Sequence, residues 1–483
     1  MDATLYAKCS CGLCGGHISF PVDLEGTAIN CPHCQQPTQL NMVAPPSPRP
    51  VGGLTGAEIL NSFGPPVRRT RVAFLYQIGL VLVTLVMLVL PLVYLGMIGA
   101  AIYGVYYWAT HFSGLLAAGP YMQRGALAAY LGRLLIYFIP LLVGVVFVLF
   151  LIKPLFARRV TRAQPLALNP GVEQTLYAFI AKICESVGAP MPTRIDLDCE
   201  LNAAAGLRRG FHSLFSNDLV LVIGLPLAAG LTLQEFAGVI AHEFGHFTQG
   251  FGMRLSYIVR RISGWFARLC FERDAWDVRL AEMVEESGDG WAMLVAGLAQ
   301  FGIGCTRLLL MGLMYLGHGV SCFLLRQMEF DADSYEAKVA GSAAAEQTII
   351  KFNQLGEALK RTYKEVRAAW NTSRKLPDNF PAFFVLQASQ LPQPVRTKLA
   401  DTVGLSRTGL FGTHPSDGDR IRSIRRAGEP GIFHLDQPAS LLFSNFEAVA
   451  KQITLQHYNE EQGLNCDASN LRGMEFYVHR SAA

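Results

Sequence analysis

The chain has 483 residues, of which 51% are hydrophobic and 16% charged, with a formal net charge of +4. Soluble domains carry about 25% charged residues, so this composition is apolar for a protein that lives wholly in water. The mild positive charge gives no electrostatic footprint for nucleic acid, and none is expected as a partner.

The opening MDATLYAKCSCG is polar and lacks the basic start and apolar run of a cleavable signal peptide. Five of the eleven cysteines fall in the first 34 residues, a pattern that suits a reduced compartment with one metal module better than a disulfide framework. Residues 1–43 hold CGLC (Cys11, Cys14) and CPHC (Cys31, Cys34), separated by 16 residues. Two such knuckles put four thiolates within tetrahedral reach of one structural zinc, with Cys9 or His33 as alternative ligands. A ribbon this small would owe its fold to the metal. It could bind a protein partner or nucleic acid, and its own residues do not choose.

Residues 44–71 are rich in proline and glycine and read as a linker ending in RRTR. Residues 72–152 read as two transmembrane spans. The stretch from Val72 to Thr110 has no charged residue, and a second apolar run extends from about Gly125 to Ile152. Arg68, Arg69 and Arg71 precede the first span, and Lys153, Arg158, Arg159 and Arg162 follow the second. This bias places both ends in the cytoplasm. Residues 153–483 form the remaining domain, α/β at its start and largely helical afterwards. Two membrane-associated helices are expected in it, at about 253–270 and 291–325. In the first, Ile258, Ile262, Trp265, Phe266 and Leu269 share a face edged by Arg254, Arg261 and Arg268, as on a membrane surface or against a core.

The segment GVIAHEFGHFTQG carries the chemistry. Thr232 and Glu235 predict a capping box that starts the helix. His242 and His246 then lie one turn apart on one face and can meet one zinc ion, while Glu243 can reach the metal's water. A catalytic zinc needs a third protein ligand. Downstream, QMEFDADSYEAK offers Glu329 as that ligand, with Asp333 four residues on to hold the far nitrogen of a zinc-bound histidine. Alone, that acidic run would read as a solvated helix start. Glu243 is the expected general base, and THPSDGDRI offers His414 and Arg420 as groups for the oxyanion, or as ordinary surface residues.

Together these residues resemble the gluzincin membrane metallopeptidases, the HtpX-like proteases and CAAX prenyl endopeptidases, over roughly residues 165–425 and the two preceding spans. The resemblance implies an α-helical membrane protein with a mainly α (α+β) metallopeptidase domain, here extended by the N-terminal zinc ribbon. LNAAAG matches the family's substrate-binding edge strand, implying that Asn202, Ala203, Ala204 and Ala205 bind substrate backbone. Ala204 stands where the family has an aromatic residue. The His-Pro segment and its following arginine fall on His414 and Arg420. Two spans before the catalytic helix favour the HtpX-like branch.

The sequence therefore points to a membrane zinc endopeptidase with one catalytic and one structural zinc. It would act on membrane-associated or misfolded polypeptides at the cytoplasmic face of a bacterial inner membrane. The alternatives are a CAAX-type processing protease and a catalytically silent scaffold whose ribbon binds a partner. Because His242, His246 and Glu329 must meet, the chain between them crosses the bilayer an even number of times. Arg260 and Arg261 make a full crossing of 253–270 costly, at about 2.5–3.5 kcal/mol per charge. A partly embedded pair is thus expected over a spanning hairpin.

Overall fold

The computed structural model describes residues 6–10, 17–21, 27–39, 54–70, 74–116, 126–156, 165–208, 218–248, 251–272, 290–409, 412 and 414–481. Two small antiparallel hairpins come first: β1 (Tyr6–Ser10) with β2 (His17–Pro21), and β3 (Ala28–Asn30) with β4 (Pro37–Gln39). Each CxxC pair falls in the connection of one hairpin. Cys11 and Cys14 lie outside the described residues, as do Arg71, Arg158, Arg159 and Arg162 of the basic clusters. At the second knuckle Cys31 is buried, and the His33 amide points at its sulfur, 3.4 Å away.

The expected linker is not loose where it is described. Thr55 and Glu58 form a capping box on a short helix, α1 (Gly56–Asn61). Phe63 then stacks on Phe433, ring centroids 4.3 Å apart. Gly64 donates to the Ile432 carbonyl, Val67 to Ser186, and Thr70 to the Tyr335 hydroxyl. Ile59, Phe63 and Val67 supply apolar anchors that the proline and glycine content obscured.

Two long helices follow, α2 (Phe74–His111) and α3 (Ala126–Ile152). α2 buries one stripe, Leu80, Val83, Met87, Leu90, Tyr94 and Ile98, at helical spacing. The rest of its surface is apolar and exposed, as is most of α3, where only 11% of the apolar window is buried. Such surface suits hydrocarbon, not water.

The domain core is a four-stranded sheet in the order β5 (Leu166–Ala167), β6 (Arg194–Asp198), β8 (Leu219–Gly224), β7 (Ala203–Leu207). β6 and β8 are parallel, and β7 runs antiparallel to β8 at the edge. β8 reads as a nearly continuous apolar run because both its faces are covered. α4 (Gln174–Val187) and α6 (Leu233–Gly245) pack with the sheet, and Phe179, Phe236 and Phe433 are fully buried between them. α5 (Leu225–Gly230) links β8 to α6.

α7 (Phe251–Phe271) and α8 (Gly290–Ala340) lie along α2. Val259, Ile262, Phe266 and Leu269 of α7 share one apolar cluster with the α2 stripe and with Leu310, Leu313, Met314, Leu324, Leu325 and Met328 of α8. The amphipathic face expected at a membrane surface is therefore covered by protein. The Arg260 guanidinium sits against Glu329, and the Glu272 carbonyl against Arg307, so α7 and α8 run antiparallel. Residues 299–340 of α8 are long and apolar enough to cross a membrane, making three such helices among the described residues with 74–111 and 128–156. The composition reading had favoured only two.

α6 and α8 approach closely at two glycines, seven residues apart on one helix face. A Cβ at Gly238 would stand 2.9 Å from the Ala340 Cβ and 3.2 Å from the Glu336 Cγ. One at Gly245 would stand 3.1 Å from the Tyr335 ring. Gly238→Val should lower stability by about 2–3 kcal/mol through overpacking, read as a fall in the thermal midpoint in detergent. An unchanged midpoint would refute this account of the helix contact.

Candidate zinc site

The capping box predicted for α6 is present: the Thr232 hydroxyl accepts from the Glu235 amide, and the Glu235 carboxylate accepts from the Thr232 amide. The helix then runs through His242 and Glu243 and ends at Gly245, with His246 still in right-handed helical geometry at its C-cap. The two imidazoles are therefore one turn apart, ring centroids 5.1 Å from each other and nearly perpendicular. The acidic run lies deep within α8, not at a helix start. Glu329, Asp333 and Glu336 recur at i, i+4 and i+7 on its buried face.

Glu329 faces both histidines. Its Oε2 is 3.5 Å from His242 Nε2, and its Oε1 is 3.9 Å from His246 Nε2. The three ligand atoms lie within 4.8 Å of one another. Two ligands on a tetrahedral zinc are about 3.4 Å apart, given bond lengths near 2.1 Å. Two imidazole nitrogens and one carboxylate oxygen are also a donor set that zinc favours, so these residues fit the ion.

Behind His242, Asp333 Oδ1 is 3.2 Å and Glu336 Oε2 3.6 Å from Nδ1. Burial opposes a charge on His242, but Asp333, Glu329 and Glu336 outweigh it and hold the ring's pKa well above its usual value. His246 has no such support. Its Nδ1, like that of His242, is buried with no hydrogen-bond partner among the described residues, but no carboxylate stands behind it, and burial, aided by His242 and Arg260, depresses its pKa to about 3. His246 therefore stays neutral, with a lone pair available to a metal. Burial raises the pKa of Glu243, partly offset by His242 and by the Ala205 amide, which points at Glu243 Oε2 from 3.3 Å.

β7 supplies that amide. Asn202 directly precedes the strand, and Ala203, Ala204 and Ala205 lie in it. Arg208 donates to Asp218 toward β8, so the odd-numbered amides of β7 face the other way, toward Glu243. His414 also reaches the site, its Nδ1 3.4 Å from Glu329 Oε1 and its side chain 69% exposed. Arg420 is engaged by Asp333. Its guanidinium grips Asp333 with Nε 3.1 Å from both carboxylate oxygens and Nη2 2.6 Å from Oδ1. Asp333 is buried and needs a cation, and Arg420 on the helix Asp417–Ala427 supplies it.

Three residues at this site escaped the sequence. Glu336 could have been found by extending the helical period from Glu329 and Asp333. Arg260, whose Nη2 is 2.7 Å from Glu329 Oε1, had counted only as a charge that makes a crossing of 253–270 costly. Arg326, three residues before Glu329, holds the carbonyls of Gly409 and Gly412 near His414 and carried no motif.

The comparisons bear on this geometry. A model of peptidase family M48 matches residues 170–427. Protease HtpX of Psychrobacter sp. (strain PRwf-1) is 26% identical over 258 residues, covering 53% of this chain and 70% of that protein. Protease HtpX of Stutzerimonas stutzeri (strain A1501) is 27% identical over 262 residues, 53% of this chain and 73% of that one. Protease HtpX of Acinetobacter baylyi (strain ATCC 33305 / BD413 / ADP1) is 24% identical over 321 residues, 65% of this chain and 92% of its own. No solved structure matches.

The contacts behind His242 give a prediction. Asp333→Asn keeps the shape but removes the charge shared by His242 and Arg420. Zinc affinity should fall about 10–100-fold, measured by competition with a chromogenic chelator. Affinity equal to that of the native protein would show that Asp333 does not support the ligand.

Proposed function

The chain belongs to peptidase family M48, and we propose that it is an endopeptidase whose zinc is held by His242, His246 and Glu329, with Glu243 as general acid–base. A membrane-associated zinc protease is what the family match, the HtpX relatives and the apolar helices establish. The observation that carries the residue assignment is the convergence of three zinc-type donors beside Glu243 and the edge strand β7.

Zinc in this position supplies a Lewis acid that acidifies water and polarises the scissile carbonyl. The chain's own residues do the rest. Glu243, with its pKa raised by burial, takes the proton of the attacking water and returns it to the leaving amine. Among the described residues no strand pairs with the outer edge of β7, where strand addition would lay an extended substrate with its scissile bond beside Glu243. Ala204, with its small side chain, would leave room there for a bulkier substrate residue. His414, exposed and beside Glu329, is placed to donate to the developing oxyanion. Asp333 orients His242, and Arg420 orients Asp333.

Polypeptide substrates reach this site at the membrane. α8 is long enough to cross, so the even-crossing rule makes α7 its returning partner. Its 21 residues extend about 31 Å, close to the hydrocarbon thickness of about 30 Å. We favour a spanning hairpin on these grounds, with the N-terminus and the active site in the cytoplasm of a bacterial inner membrane, as the basic flanks suggest. Residues 1–43 serve as a zinc ribbon on Cys11, Cys14, Cys31 and Cys34 that recruits a protein partner or substrate. The amide-to-sulfur contact at Cys31 is of the kind zinc knuckles make.

Glu243→Gln tests this reading directly. The native protein in detergent should hold two zinc ions and cleave casein. The variant should hold two and lose activity by at least about a hundredfold. Casein cleavage by the variant at the native rate would rule out Glu243 as the base. One zinc in place of two would leave either the ribbon or the active site unfilled, and Cys31→Ser would tell which.

A further inference from the structure

The loop that carries His414 is tied down at both ends. At its base, Thr408 donates from its amide (2.9 Å) and its hydroxyl (2.6 Å) to Asp419, and the Ser416 amide donates to the Thr408 hydroxyl at 2.8 Å. Arg422 adds a bond to the Ser406 carbonyl at 3.0 Å. These contacts fix the loop to the helix Asp417–Ala427. At its crown the loop is held by Arg326 of α8. Its Nε donates to the Gly412 carbonyl and its Nη2 to the Gly409 carbonyl, both at 2.7 Å. Gly412 in turn donates to Gly409 at 3.1 Å, and the guanidinium holds both residues' carbonyls as a fork.

Arg326 stands three residues before Glu329 on the same helix, and His414 stands two residues after Gly412. The fork therefore fixes the distance between the loop and the metal ligand through one rigid turn of α8. We infer that Arg326 is a positioning residue for catalysis: it clamps the carbonyls of Gly409 and Gly412 so that His414 is held over Glu329, where substrate is bound. The inference rests on the role proposed above for His414. An exposed histidine on an untethered loop would spend little time in that place, and a displacement near 1 Å can lower turnover about a hundredfold. A lysine could reach one of the two carbonyls but not both in the fork geometry.

A double-mutant cycle with Arg326→Gln and His414→Ala tests this, with zinc content and thermal midpoint checked for each protein and casein-peptide cleavage as the readout. Arg326→Gln should lower kcat at least about tenfold with KM and zinc content near native. His414→Ala should lower it similarly, and the double variant should be no slower than His414→Ala alone. Arg326→Lys should recover only part of the loss, and it carries the test if the glutamine variant is unstable. Losses that multiply in the double variant, or native turnover in Arg326→Gln beside an impaired His414→Ala, would overturn the inference while leaving the role of His414 intact. Native turnover in His414→Ala would remove the role of His414 and this inference with it.

Discussion

Three carboxylates on one face of one helix set the terms for the rest of the molecule. Glu329, Asp333 and Glu336 are all buried. An unpaired carboxylate in such a place costs several kcal/mol, so the fold must bring positive charge or hydrogen-bond donors to them. It does so from three separate elements. α6 brings His242, α7 brings Arg260, and the helix Asp417–Ala427 brings Arg420. The close helix approach at Gly238 and Gly245 is what lets α6 come near enough. The need to neutralise α8 and the gathering of the candidate zinc donors are thus one constraint, met by one set of contacts.

The same helix ties the chemistry to the bilayer. α8 has 51 residues, a continuous rod about 75 Å long. Its apolar part packs with α2 and α7, and its last turns carry Glu329 and the acidic face. The distance from the apolar part of α8 to Glu329 is therefore fixed by helix geometry. α2 adds a second fixed strut. Its first turns pack beside Leu324 near the site, while its far half packs against α3 through Tyr94, Trp108 and Tyr137.

Where local rules governed, the sequence was readable. The capping box at Thr232, the turn between His242 and His246, the pairing of Glu329 with Asp333, and the two apolar helices all follow from periods of 3.6 residues and from hydropathy. What it hid was long-range. The segment around Ile59 and Phe63 looked like linker because proline and glycine dominate it, yet its anchors need Phe179 and Phe433 to be seen as anchors. Arg420 carried a family resemblance, but only the three-dimensional position of Asp333 decides which way its guanidinium turns. Glu336 lay in plain view at the next helical step, and its role required knowing that this face is buried.

The arginines of the apolar helices show what composition alone leaves out of account on α7. Charges there argued against insertion, on the premise that each would face lipid or headgroups. Arg260 instead meets Glu329, and Arg307 meets the Glu272 carbonyl across the hairpin. Arg326 meets two loop carbonyls. A charge that enters the bundle already paired carries a much smaller desolvation cost than an isolated one. Ionisable residues on apolar helices persist where a partner holds them, and each of these three arginines has one.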